Sequence, residues 1–182
     1  MVKRYIQSFI STKYVFVLPS LALGVFVCAF FYTSSGNPIS RYIGIGFGLI
    51  LFAVMAVYYK EKFSASSQLK KVKDIEAFED AVMIGQAFFL EERMLGYWKG
   101  KVFDLKYSDI TSISYSADSR GKMYLDLTTG QGVCRVEMAL KDQAARVAKF
   151  LSVRNPDAAV NGITPSGAGT LHSIDPYRSE KQ

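Results

Sequence analysis

The residues able to do chemistry are few and poorly grouped. The chain has one histidine, His172, and two cysteines, Cys28 and Cys134. Nucleophilic catalysis needs a base beside a hydroxyl or thiol, and the sole imidazole lies near the C-terminus, outside any apolar pattern. Cys28 falls inside an apolar run and Cys134 inside an alternating one, so neither an intradomain disulfide nor a zinc site is expected. Glu91 and Glu92 resemble a carboxylate pair, but adjacent strand residues point to opposite faces, which suits a solvated strand end. The glycines of Thr129-Gly130-Gln131-Gly132 fit a hairpin, because no Lys-Ser/Thr and helix follow as a phosphate loop requires. Tyr97 and Trp98 are the aromatic candidates for an exposed partner contact, with burial in the core as the competing reading. The sequence therefore reads as a protein without catalytic residues, cofactor or metal.

The elements that must carry any function begin with two uncharged apolar runs, residues 14–32 and 42–59. At about 1.5 Å per residue each reaches across a hydrocarbon core of ~30 Å. Tyrosines mark all four ends (Tyr14, Tyr32, Tyr42, and Tyr58 with Tyr59), where amphipathic rings prefer the headgroup level. Neither run shows the polar stripe of a soluble surface helix. A cleaved signal peptide is the rival for the first run, but Phe30, Phe31 and Tyr32 are bulky where a peptidase takes small residues. Ser20 and Gly24 on one run, and Gly44 and Gly48 on the other, are small pairs that let helix backbones approach. Pro19 is expected to kink the first helix. With no ionisable side chain inside either run, the pair reads as an anchor and not a transport path.

Basic residues set the orientation. Lys3, Arg4 and Lys13 precede the first run, and Lys60, Lys62, Lys70, Lys71 and Lys73 follow the second, while the connection holds only Arg41. Positive residues stay inside, so both termini are expected in the cytoplasm. Residues 1–73 carry nine Lys/Arg against one acid, Glu61, whereas residues 74–182 carry thirteen against fifteen. The folded remainder is thus mildly acidic, which argues against nucleic acid as a partner. The flanking lysines favour anionic lipid headgroups, with a purely topological role as the competing reading.

The expected organisation has five parts: an interfacial segment over residues 1–13, a transmembrane hairpin over 14–59, a basic linker over 60–80, a folded domain over 81–154, and a disordered tail over 155–182. Short apolar pieces at 82–84 and 87–90 are followed by strand patterns at 93–97, 101–105, 110–115, 123–127 and 134–138. The period then switches: Ala144, Val147, Ala148 and Leu151 fall on one helical face, with Asp142 as the expected N-cap and Asn155-Pro156 as the stop. The tail is rich in Gly, Ala, Ser, Thr and Pro, and too poor in large apolar residues to offset its chain entropy.

Several antiparallel strands closed by one amphipathic helix resemble the pleckstrin-homology (PH-like) barrel, in which the helix plugs one open end. The run Phe103-Asp104-Leu105-Lys106-Tyr107-Ser108-Asp109-Ile110-Thr111-Ser112-Ile113 resembles a phrase recurrent in small bacterial PH-like domains. A helical hairpin followed by such a domain is similar to the YcxB-like group of bacterial membrane proteins. The resemblance implies an α+β membrane protein of the bacterial inner membrane, with a transmembrane hairpin and a small cytoplasmic PH-like barrel capped by a helix. It implies an interaction or scaffold protein that organises a protein partner or its own copies at the membrane face. The alternative is an accessory subunit that contacts a larger complex through the hairpin. Phosphoinositide binding does not carry over, since the region of Glu91, Glu92, Arg93, Lys99 and Lys101 lacks the basic cluster that it needs.

Overall fold

The computed structural model describes residues 1–175. The chain is α+β and divides into two compact units, residues 3–67 and residues 68 onward joined by Met1 and Val2.

The first unit is helical. Helix α1 (Val2–Tyr14) is followed by α2 (Val17–Ser35) and α3 (Pro38–Leu69). The break between α1 and α2 falls at Val15 and Phe16. A proline ring clashes with the carbonyl four residues earlier, which for Pro19 is that of Val15. Pro19 therefore ends one helix and sits in the first turn of the next, instead of kinking a continuous span. The connection between α2 and α3 is only Gly36 and Asn37. Gly36 takes φ +64° and donates its N–H to the Tyr32 carbonyl at 2.9 Å. Asn37 Oδ1 accepts the Ile39 N–H at 3.0 Å, with Pro38 at the first helical position. A left-handed glycine, an Asn cap and an N1 proline thus close a hairpin tighter than the apolar runs alone suggest. Two helices, α2 and α3, are long and apolar enough to cross a membrane, and their apolar windows contain no buried residue. Helix α3 also runs on to Leu69, so Lys60 and Lys62 lie on it and not in a linker.

The second unit holds two sheets. Strands β1 (Val82–Ile84), β2 (Ala87–Phe89), β3 (Arg93–Trp98) and β4 (Lys101–Lys106) form an antiparallel meander. Strands β5 (Ile110–Ala117), β6 (Met123–Thr129) and β7 (Gly132–Met138) form a second, in the order β7-β6-β5-β8, where β8 (Ala159–Asn161) adds parallel to β5. Helix α4 (Lys141–Arg154) follows β7. The core draws Phe89, Met94 and Leu105 from the first sheet, Ile113, Leu125 and Val136 from the second, and Val147, Phe150 and Leu151 from α4.

Alternation predicts the second sheet well. It is less informative for β2 and β3, where Phe88, Leu95 and Tyr97 are buried like their neighbours Phe89 and Met94. A strand buried on both faces reads as a continuous apolar run. The N-cap of α4 is Leu140, without a side-chain bond, and not Asp142, which lies in the first turn. Gln143 supplies the reach-back instead, its Oε1 accepting the Ala139 N–H at 3.0 Å. Asn155 does stop the helix, and its Nδ2 donates to the Tyr107 and Ile110 carbonyls at 2.9 and 2.7 Å.

Residues 155–175 do not form the expected disordered tail. Beyond β8, Ser166 N–H donates to the Ala145 carbonyl at 3.1 Å. Arg154 Nη1 donates to the Gly169 carbonyl at 2.9 Å. The short helix α5 (Leu171–Ile174) buries Ile174 completely. The segment needs little apolar surface of its own, because β5 and α4 present ready-made acceptors and a core edge. Residues 176–182 lie outside the described residues.

Candidate functional site

The aromatic candidates separate. Tyr97 is fully buried, so it is no exposed contact. Trp98 is half-buried at the end of β3 and packs against a polar face of the second sheet. Register sets Asp126 opposite Arg135 and Tyr124 opposite Glu137. Arg135 grips Asp126 with two bonds, Nε to Oδ1 at 2.6 Å and Nη2 to Oδ2 at 2.7 Å. Its guanidinium lies 4.9 Å from the Tyr124 ring centre and 5.5 Å from that of Trp98. The Asp126 partner raises the Arg135 pKa. Asp118 accepts the Arg120 and Lys122 N–H groups at 2.9 Å, and the Lys122 bond leads the causes that lower its pKa. Lys122 in turn binds Glu137 at 2.8 Å. Each charge on this face has an answering group, so the face orders the strands and offers no reactive one.

Cys134 is buried opposite Gly96, where an added Cβ would lie 2.6 Å from its sulfur. Burial pushes its thiol up to about 12, the neutral, unreactive form. Tyr107 is buried too, its hydroxyl donating to the Leu90 and Arg93 carbonyls at 2.6 and 3.0 Å, and desolvation raises its pKa.

Glu91 and Glu92 line a groove of about 360 Å³ with Arg93, Lys106, Tyr107, Ser108 and Arg154. Its guanidinium groups are already occupied. Arg154 binds the Glu91 carboxylate and carbonyl and stacks on Phe150, 3.7 Å from the ring centre. Arg93 donates to the Lys73 carbonyl at 2.9 Å and lies 3.7 Å from the Asp104 carboxylate. The groove is therefore a set of clamps that ties α4 and residue 73 to the first sheet. His172 is exposed on α5. Among the described residues no group of three or more His, Cys, Asp or Glu could hold a metal ion.

In the helical unit, Gly24 and Gly44 both face the neighbouring helix. A Cβ on Gly24 would lie 3.1 Å from the Phe47 ring, and one on Gly44 3.1 Å from Cys28 Cβ. Each glycine thus receives a larger side chain, and the two small patches do not meet. Gly48 faces open space and Ser20 is exposed. The basic residues divide as well. Lys13 Nζ binds Glu61 at 2.8 Å and Lys62 Nζ binds the Tyr58 hydroxyl at 2.9 Å. Tyr14 adds a bond to Glu61 at 2.9 Å, and Ser11 one to Tyr58 at 3.2 Å. The Lys13, Tyr14 and Ser11 bonds tie α1 to α3, a role that sequence reasoning missed, while the Lys62–Tyr58 bond lies within α3. The available signal was Glu61, the lone acid among the first 73 residues. Lys3, Arg4, Lys60, Lys70, Lys71 and Lys73 are exposed.

No family model, no curated protein and no solved structure matches this chain.

Proposed function

We propose that the chain is a membrane-anchored interaction protein: α2 and α3 span the bacterial inner membrane, and the β domain faces the cytoplasm and binds a protein partner or further copies of itself. The observation that carries this reading is the pair of adjoining helices, each with an 18-residue apolar window that contains no buried residue, joined to a separately folded domain. Water does not tolerate such a surface, and a bilayer does. The lysines after α3 favour the cytoplasmic placement. Four antiparallel strands, three more, and a closing helix support the PH-like reading and the likeness to the YcxB-like group. The polar bonds of the β domain stabilise its fold, and function runs through surface contacts and not through turnover.

The second reading is an accessory subunit held in a larger complex by its helices. It is favoured by Gly48, where an added Cβ would meet nothing within 4 Å, leaving that side of α3 open to another helix. Two experiments test these readings. A reporter active only outside the membrane should be silent when fused at Gln182 and active after Asn37; the reverse sinks the orientation. Co-purification in mild detergent, with and without residues 74–182, separates the two. Loss of the partner on deletion supports the β domain as the contact, and retention supports the helices.

A further inference from the structure

Neither folding nor topology accounts for Arg41. It is the only charged residue between Lys13 and Lys60. It lies in the first turn of α3, which carries no acidic residue. The positive end of the helix dipole sits there, so the backbone disfavours a cation. In the orientation proposed above Arg41 also lies outside, where basic residues are depleted. It is exposed, and among the described residues it has no ion pair. Lys13 and Lys122, by contrast, each have a carboxylate partner.

Arg41 stands at the rim of a groove of about 290 Å³ between α2 and α3. Tyr32, Ser40 and Arg41 line the end beside the hairpin turn, and Val25, Ala29 and Ile45 line the apolar remainder. Seven residues separate Val25 from Tyr32, so the channel runs about 10 Å along the helices. The nearby Thr33 and Ser35 hydroxyls donate back to the Phe30 and Phe31 carbonyls at 2.9 and 2.7 Å. Ser40 begins a helix and has no preceding turn to bond. Its side chain is half-buried, and among the described residues its hydroxyl has no partner. Two unanswered donors, the Ser40 hydroxyl and the Arg41 guanidinium, thus stand over an apolar channel.

We propose that this groove holds a single anionic phospholipid of the leaflet that meets the hairpin turn, with its phosphate at Arg41 and Ser40 and part of one acyl chain between Val25, Ala29 and Ile45. The inference rests on the membrane-anchored reading above and is independent of the β domain. Charge complementarity selects the occupant. One end of the site offers a cation and a hydroxyl donor, the pair that an ionised phosphate bonds most strongly. The other end offers only apolar surface, so the ligand must be an amphiphile. A free phosphate would leave the channel unfilled. A second copy of the hairpin brings no acid to Arg41, because the first sixty residues contain none.

The test uses the full chain in mild detergent, titrated with phosphatidylglycerol or phosphatidylcholine and followed by native mass spectrometry. One phosphatidylglycerol is expected to stay bound under activation that strips phosphatidylcholine. Arg41→Gln should lower phosphatidylglycerol affinity about 10–100-fold, the scale of one hydrogen bond to a charged group. Ala29→Phe fills the channel and should weaken both lipids while leaving Arg41 in place. Excess inorganic phosphate should not displace the lipid; displacement would show capture of a phosphate without its chain and overturn the proposal. Equal retention of the two lipids, or retention untouched by Arg41→Gln, means an annular lipid only and also overturns it. Flotation with vesicles reports insertion separately, and both variants should float like the parent chain. Failure of the parent to float overturns the anchored reading, and this one with it.

Discussion

Gln86 → Leu is the sharpest test of how the two sheets are held together. Gln86 sits in the turn between β1 and β2 and is 2 % exposed. Its Nε2 donates to the Arg135 carbonyl at 2.6 Å, and its Oε1 accepts the Glu137 N–H at 3.3 Å. Both groups belong to β7, which ends its sheet, so one side-chain amide does the work of a missing neighbouring strand. Leucine has similar size and offers neither a donor nor an acceptor. Two buried backbone groups would lose their partners, at about 1–3 kcal/mol each. The added apolar surface returns about 1 kcal/mol. The net loss is about 1–5 kcal/mol, set against the ~5–15 kcal/mol that holds a typical domain folded. Urea titration of the protein in detergent, followed by Trp98 emission, should show a midpoint lowered by about 0.5–2.5 M for a slope near 2 kcal/mol per M. Exchange of the Glu137 amide should accelerate. A shift below about 0.2 M, with Glu137 as protected as before, would refute the reasoning.

Two further outcomes follow from burial. Cys134 has its thiol raised from 9.0 to about 12, and the Tyr107 hydroxyl is raised from 10.0. Folding therefore favours both neutral forms; their contribution is complete below about pH 9 and is lost progressively as pH climbs toward 12. Urea midpoints should fall above pH 9, and Cys134→Ala should flatten the first part of that fall; a midpoint constant from pH 8 to 11 would contradict it. Ile174→Ala should cost about 2–4 kcal/mol by leaving a cavity beneath α5, read from the same titration. A neutral result would return residues 155–175 to the status of a loose tail.

Much of the fold was legible because its signals are local. The strands around Leu125, Leu127, Cys134 and Val136 alternate cleanly, and the 3.6-residue spacing from Ala144 to Leu151 marks α4. The caps at Gly36, Asn37 and Pro38 were equally readable, yet tyrosine positions drew the ends of the helices further apart than they are. The candidate contacts were less legible. Tyr97 and Trp98 are neighbours with the same apparent role, and only the packing of β3 separates a buried ring from a half-buried one. Lys13 and Lys62 looked like topology markers until Glu61 and Tyr58 were seen to face them.

The sequence by itself determined the two apolar helices, the charge asymmetry around them and the order of strands before α4. Each of these depends on residues close together in the chain, through helical rise, hydrophobic period or local charge. The tertiary structure alone decided that Gln86 bridges to β7, that Gln68 binds the Gly100 carbonyl in the turn between β3 and β4, and that β8 joins β5 in parallel. These pairings join residues separated by 32 to 51 positions. No local preference encodes such contacts, because their free energy exists only once distant backbone groups have been brought together and deprived of water.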